Sequence, residues 1–228
     1  MANKISSFII ILGALLVLTI SCKKDEPPPE PVTDIDGTIY NTVKIGEQIW
    51  MAENLKTRRF NDGSEIQLIT DPSSWSSMVT GAYCWYKNEE SSYRDPYGAI
   101  YNGYAVITGK LCPTGWHVPD REEWQKLREF TGDSIKGGGK LKETGTDHWL
   151  APNKGADNSS GFTAVASGMR YFDGSFASIG YFTGIWSSTE TGINDLWYMS
   201  LYFGDAVFNM SHMMKTHGFS VRCLKDDL

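Results

Sequence analysis

Leu111-Cys-Pro-Thr-Gly-Trp-His-Val-Pro-Asp-Arg-Glu-Glu-Trp-Gln-Lys-Leu-Arg-Glu-Phe130 decides how the rest of the chain is read. It joins a cysteine, a Gly-Trp turn and a proline stop to a strong helix start. Asp120 can cap that helix, and Glu123, three residues on, can reach back to the amide of the cap, the arrangement of a capping box. Trp124, Leu127 and Phe130 recur at three-residue intervals and make one apolar stripe, while Arg121, Glu122, Gln125, Lys126 and Glu129 stay in water. A helix of this kind buries its stripe against a second layer, and the remainder of the chain reads as β structure. The chain closes on Gly218-Phe-Ser-Val-Arg-Cys223, a short strand with a cysteine of its own. Cys112 and Cys223 are therefore expected to form a disulfide that staples the start of the helix to the C-terminal strand.

The composition agrees. With 41% hydrophobic and 21% charged residues in 228, the chain has an ordinary globular balance. Eight Trp, 11 Tyr and 10 Phe beside 23 Gly describe an aromatic, turn-rich β protein rather than a helical bundle. The roughly 195 residues after the N-terminal segments suffice for one domain with a sizeable core.

Residues 1–22 read as an address. Lys4 gives a positive start, and the apolar run from Phe8 to Ile20 is too short to span a bilayer comfortably. The run ends Leu18-Thr-Ile-Ser-Cys22, which resembles the lipobox of bacterial lipoproteins, with Thr19 where leucine is usual. That resemblance implies an acylated Cys22 as the first mature residue and the membrane as a partner through the lipid. An ordinary secretory signal is the alternative. The polar, proline-rich tether that follows, residues 23–33, favours lipidation. Lys23-Lys-Asp-Glu26 resembles the charged signal of some outer-surface lipoproteins, so the expected location is the outer membrane, facing either the periplasm or the exterior.

Cleavage before Cys22 would remove one lysine and take the formal net charge from −6 to −7. An acidic chain without a Lys/Arg cluster argues against nucleic acid as a partner. Once Cys22 is assigned to lipid, three cysteines remain, an odd number that leaves one thiol over. Cys84, inside the apolar run Ala82-Tyr-Cys-Trp-Tyr86, is the expected leftover, buried and inert.

The expected domain runs from residue 34 to residue 228. Thr38–Ile45 and Gln48–Met51 flank Gly46-Glu47 as a hairpin, with Trp50 and Leu55 in the core. Residues 58–77 are polar and turn-rich, an exposed excursion. Gly81–Tyr86 reads as a buried strand, Tyr97–Ile107 as a short helix or a strand, and residues 140–158 as loop anchored by Trp149. Short β segments then follow to the end, with turns at Asp173-Gly174 and Gly204-Asp205.

Asp36-Gly-Thr-Ile-Tyr40, Ile45-Gly-Glu-Gln-Ile-Trp-Met-Ala-Glu-Asn-Leu55, Tyr97-Gly98, the Leu111–Pro119 motif, Gly138-Gly-Lys-Leu-Lys142, Trp186-Ser-Ser-Thr-Glu190 and Phe219-Ser-Val-Arg-Cys223, in this order, resemble the Fibrobacter succinogenes major paralogous domain over roughly residues 34–226. That family comprises secreted and lipid-anchored bacterial proteins. More distantly, His117–Gln125 and the Gly-Phe-Ser-Val-Arg-Cys ending are similar to segments of formylglycine-generating enzymes. These resemblances imply an α+β, C-type lectin-like fold: one main helix on twisted antiparallel sheets, a C-terminal β meander and termini that lie close together. Diversified variable proteins use the same fold and display their binding surface on the C-terminal strands and loops.

Catalysis is not carried over. The enzymes use a pair of cysteines in their C-terminal part, and none falls between Phe162 and Ser220 here. Gly-x-Ser-x-Gly and His-Glu-x-x-His are absent. His117, His148, His212 and His217 form no pair at helical ligand spacing, and Asn194-Asp195 lacks the partners of a calcium site, so neither metal nor cofactor is expected. His117 is expected to tie its turn to the sheet.

Recognition is the expected role. In a strand at residues 196–203, Trp197, Met199 and Leu201 would face the core, and Tyr198, Ser200 and Tyr202 would share the open side. With Asp205, Phe208, Asn209 and His212 they make the candidate ligand-binding set, because aromatics among small polar groups suit contact with a glycan or a surface protein. The competing reading is that these rings fill both faces of a covered sheet, which would leave a structural envelope module, and the third is an enzyme whose site no motif reveals.

Overall fold

At the start of the Arg121–Thr131 helix the Asp120 side chain accepts from the Glu123 amide at 2.8 Å. Glu123 Oε2 in turn accepts from the Asp120 amide at 2.7 Å, so both halves of the capping box form. Trp124 and Leu127 are buried, whereas Phe130 is 60% exposed. The 3.6-residue turn explains the difference: it brings Thr131, which is buried, back over Trp124 and carries Phe130 round the flank. There Phe130 covers the hairpin turn at Gly46, where an added Cβ would come within 3.0 Å of its ring.

The structure, a computed structural model, describes residues 28–227. The signal segment, Cys22 and the first residues of the tether lie outside them. The rest of the expected tether is drawn into the body. Val32–Thr33 pairs with Ile39–Tyr40, and the Thr42 hydroxyl donates to the carbonyls of Pro29 and Glu30 at 2.9 and 3.0 Å.

Among the described residues the strands form three sheets, and with the short helices they make an α+β body. Val32–Thr33 and Ile39–Tyr40 are the smallest. A four-stranded sheet runs in the order Thr42–Ile45, Gln48–Met51, Leu224–Lys225, Trp116–His117. The Cys112–Cys223 disulfide ties its end to the turn before the helix. The nine-stranded sheet starts with the antiparallel meander Asn209–Met214, Asp195–Tyr202, Phe182–Thr191. It continues through Ser167–Arg170, Gly218–Phe219, Ile100–Asn102, Ala82–Cys84 and Gln67–Leu68, with Phe176–Ile179 folded back on Ser167–Arg170. Two joins are parallel, Thr183 with Gly168 and Gln67 with Ala82, so the sheet is mixed rather than wholly antiparallel. Residues 97–107 hold both alternatives in turn, the strand Ile100–Asn102 and the helix Gly103–Val106.

The central strand of the meander buries both faces. Leu196 and Tyr198 join a core with Tyr101, Trp186 and Phe219, and the Tyr198 ring stacks on Phe219 at 4.6 Å. Met199 and Leu201, on the other face, join Trp50, Trp124, Trp149, Phe162 and Phe208. The expected open side of Tyr198 and Ser200 is therefore closed by the strand that carries Phe219. The excursion at residues 58–77 is mostly exposed, as expected, but is anchored through Ile66 and Trp75. Asp71 caps the Pro72–Ser76 helix, which buries Trp75 and lets its indole N–H donate to the Thr216 carbonyl at 2.9 Å.

Three buried cations hold loops by their main chain. Lys142 donates to the carbonyls of Lys154, Tyr202 and Asp205 at 2.7–3.1 Å. Arg170, stacked between Trp75 and Phe176, donates to the carbonyls of Ile69, Thr70 and Gly174. Arg222, over the Phe162 ring, donates to the carbonyls of Phe162 and Thr163 and to the Asn54 side chain. Charged donors of this kind make the stronger hydrogen bonds, and each loses most if a partner is removed. Cys84 is free and buried, and burial pushes its thiol up to about 12.

Candidate functional site

The seven residues singled out on the C-terminal strands do not gather into one open site. Tyr198, Ser200 and Phe208 are buried in the two cores. Asp205 turns its carboxylate onto the Val207 amide at 3.0 Å and gives its carbonyl to Lys142. Asn209 and His212 lie three apart on the edge strand, so they project to opposite faces. Asn209 donates to Ser200 Oγ at 3.3 Å. His212 Nδ1 lies 3.1 Å from Asp195, its ring packs on Trp197, and Arg121 covers that indole at 4.4 Å. Two of the seven keep open rings, Tyr202 at 45% exposure, edge-on to Phe203, and His212 at 54%.

A concave surface lies elsewhere. A groove of about 300 Å³ is lined by Tyr93, Tyr97, residues 146–150, Ile179 and Gly180. One wall comes from the chain around Tyr97. Gly98 has φ +77°, and a Cβ there would sit 2.6 Å from that of Asn54, so only glycine lets this segment close on its neighbour. Asn54 then donates to the Tyr97 carbonyl at 2.8 Å and fixes it. Tyr93 ends a short helix, Glu90–Tyr93, and its ring links Tyr97 at 5.9 Å to the buried Tyr86 at 5.1 Å.

The opposite wall is a loop that is held at several points. The indole of Trp149 donates to the Ala164 carbonyl at 2.8 Å, and the Leu150 amide to Gly180 at 2.8 Å. Asn153 donates to the carbonyls of Glu143 and Gly145, each at 2.8 Å. His148 Nδ1 meets Glu143 Oε2 at 2.7 Å, and its ring stands edge-on to Tyr97 at 5.5 Å. Nε2 makes no hydrogen bond among the described residues, nor do the hydroxyls of Tyr93 and Tyr97 or the carboxylate of Asp147. The groove thus combines ring surface, apolar floor and uncommitted polar atoms on a rigid frame, the composition of a small-ligand cleft. Burial raises the phenol of Tyr97, which keeps it a neutral donor.

As binding residues none of these was singled out from the sequence; Tyr97 stood out only within the Tyr97-Gly98 motif, Trp149 as an anchor and His148 as a histidine outside any ligand pair. The signal was aromatic residues set in polar loops, which is where binding groups concentrate.

His117 serves the frame. Its Nε2 lies 2.9 Å from Glu123 and its Nδ1 2.6 Å from Asp226, so it joins the helix to the last strand as its sequence position suggested. These hydrogen bonds, that to Glu123 foremost, raise its pKa to about 9. Among the described residues no cluster of three or more His, Cys, Asp or Glu could hold a metal ion. No helix among them is long and apolar enough to cross a membrane.

The fold and the groove define a class: an α+β domain whose braced loops form an aromatic cleft. The chain belongs to the Fibrobacter succinogenes major domain family, whose model it matches over residues 43–225. No curated protein and no solved structure matches it.

Proposed function

We propose that this chain is an exported, lipid-anchored recognition module of the outer membrane or cell surface, with a C-type lectin-like body, that binds a glycan without catalysing a reaction. The groove between Tyr93, Tyr97 and His148 carries the reading. Sugar rings present an apolar face beside hydroxyls, and rigid aromatic surface next to free donors and acceptors suits both. A volume near 300 Å³ fits a few ring-sized groups better than the broad surface of a protein partner. The lipobox-like Leu18–Cys22 supports the anchor. One main helix on sheets, and a first stretch, Thr33–Ile35, that lies with Asp226 by the Pro113–Gly115 turn, support the lectin-like body. The His148–Glu143 pair has the geometry of an oriented base, yet no Ser, Thr or Cys side chain bonds Nε2 of His148 among the described residues, which favours binding over nucleophilic chemistry.

A glycan array probed with the purified full chain and with its Tyr97→Ala variant tests this. At least one glycan class should be retained, and the variant, folded by circular dichroism, should bind it about tenfold or more weakly, as expected for a central aromatic contact. Retention of no glycan, or equal retention by both proteins, would remove the reading.

A further inference from the structure

The groove does not stop at its rim. Gly180 and Leu150 line its edge, and Tyr181 follows Gly180 directly in the chain. The Tyr181 ring, 46% exposed, stands edge-on to Phe203 at 5.1 Å, and Phe203 stands edge-on to the open Tyr202 at 4.8 Å. Leu150, 43% exposed, lies at the junction. Ring surface therefore runs outward from the cleft, and Lys142 braces it from below by holding the carbonyls of Lys154 and Tyr202. Exposed apolar surface that continues a polar-edged cleft is the form an extended ligand requires.

The charges lining the groove have one sign, whereas beside the ridge the exposed Lys154 donates its amide to the Phe203 carbonyl at 2.8 Å. No lysine or arginine lines the groove, and Asp147 contributes a carboxylate that makes no ion pair among the described residues. His148 has one nitrogen committed to Glu143. The ammonium of Lys142, 5.3 Å from the Trp149 ring, is engaged by three carbonyls. A carboxylate or sulfate on the ligand would meet Asp147 with nothing to offset it, whereas hydroxyls or an ammonium would be accepted.

We infer that the groove and the Tyr181–Phe203–Tyr202 ridge form one track for a glycan chain that is neutral or carries amino groups, and that acidic glycans are excluded by Asp147. This rests on the glycan reading above. The groove takes one end of the bound segment and the ridge supports the sugars beyond it.

The test measures binding of the full chain to cellohexaose, xylohexaose, a chitosan hexamer and hexagalacturonate, and to the dimer of any hexamer that binds. A neutral or amine-bearing hexamer should bind, and its dimer should bind more weakly. Tyr181→Ala and Tyr202→Ala should weaken the hexamer several-fold and leave the dimer unchanged, while Tyr97→Ala weakens both. Asp147→Lys, at an exposed position, should gain affinity for hexagalacturonate by about tenfold. Preference of the parent protein for hexagalacturonate, lost in Tyr97→Ala, would overturn the charge argument and keep the glycan reading. Equal affinity for dimer and hexamer, unmoved by the ridge variants, would overturn the track. Binding of none of these sugars would overturn the inference, and the array would then decide whether the glycan reading survives.

Discussion

His117 lies between Glu123 and Asp226, and its raised pKa has a direction that can be followed in stability. The folded state binds the proton more tightly than the unfolded chain, whose histidines titrate near 6.5. The contribution is therefore complete below about pH 6.5 and is lost as pH rises through about 9. The side chain is 37% exposed, so solvent screening reduces the effect to about 1 kcal/mol. His117→Ala should be less stable than the parent by about that amount near pH 6, with the gap closing by about pH 10. Urea unfolding across that range checks it, and a gap that does not change with pH would contradict the assignment. At this scale the sequence was a fair guide to the capping box, to Cys84 and to the Cys112–Cys223 pair. It misled at Tyr198, Ser200 and Phe208, because alternation tells which residues share a face but not what lies over that face.

The main helix shows where periodicity alone falls short. Three-residue spacing grouped Trp124, Leu127 and Phe130, yet the true turn rotates Phe130 off the stripe and brings Thr131 onto it. Trp124 packs on Trp50 at 4.7 Å, so Trp124→Ala should cost about 3–5 kcal/mol. Phe130→Ala should cost about 1 kcal/mol or less, since it uncovers only the Gly46 turn. Denaturant midpoints of the two variants decide the matter, and equal losses would restore the three-residue stripe. The meander was legible from its turns and aromatic runs. The strand at Gly218–Phe219 was legible too, but its place over Tyr198 was not, because long-range pairing that no local pattern records puts it there. The groove was hidden for the same reason: Tyr97 and His148 stand 51 positions apart and meet only through the fold.

Across the whole molecule, the bridge between Cys112 and Cys223 closes a loop of 111 residues. Constraining so long a segment in the unfolded chain stabilises by about 2–4 kcal/mol. Replacing both cysteines by alanine should lower stability by about 3 kcal/mol, read from chemical unfolding of parent and variant side by side. A loss below about 1 kcal/mol would mean that the four-stranded sheet closes the molecule unaided. The body also begins earlier than its composition suggested, since Val32 packs on the first core although it follows a run of prolines.

Lys142 and Arg170, and Arg222 with all but its bond to Asn54, grip oxygens that every amino acid carries. A loop held in this way can change its side chains without loosening its anchor, since the latch reads no letter of the text it fastens. The frame and the message are thereby separated. One set of interior cations could fix the same loop paths beneath many different surfaces, and a lineage built on this body could rewrite its outer face while leaving untouched how it folds.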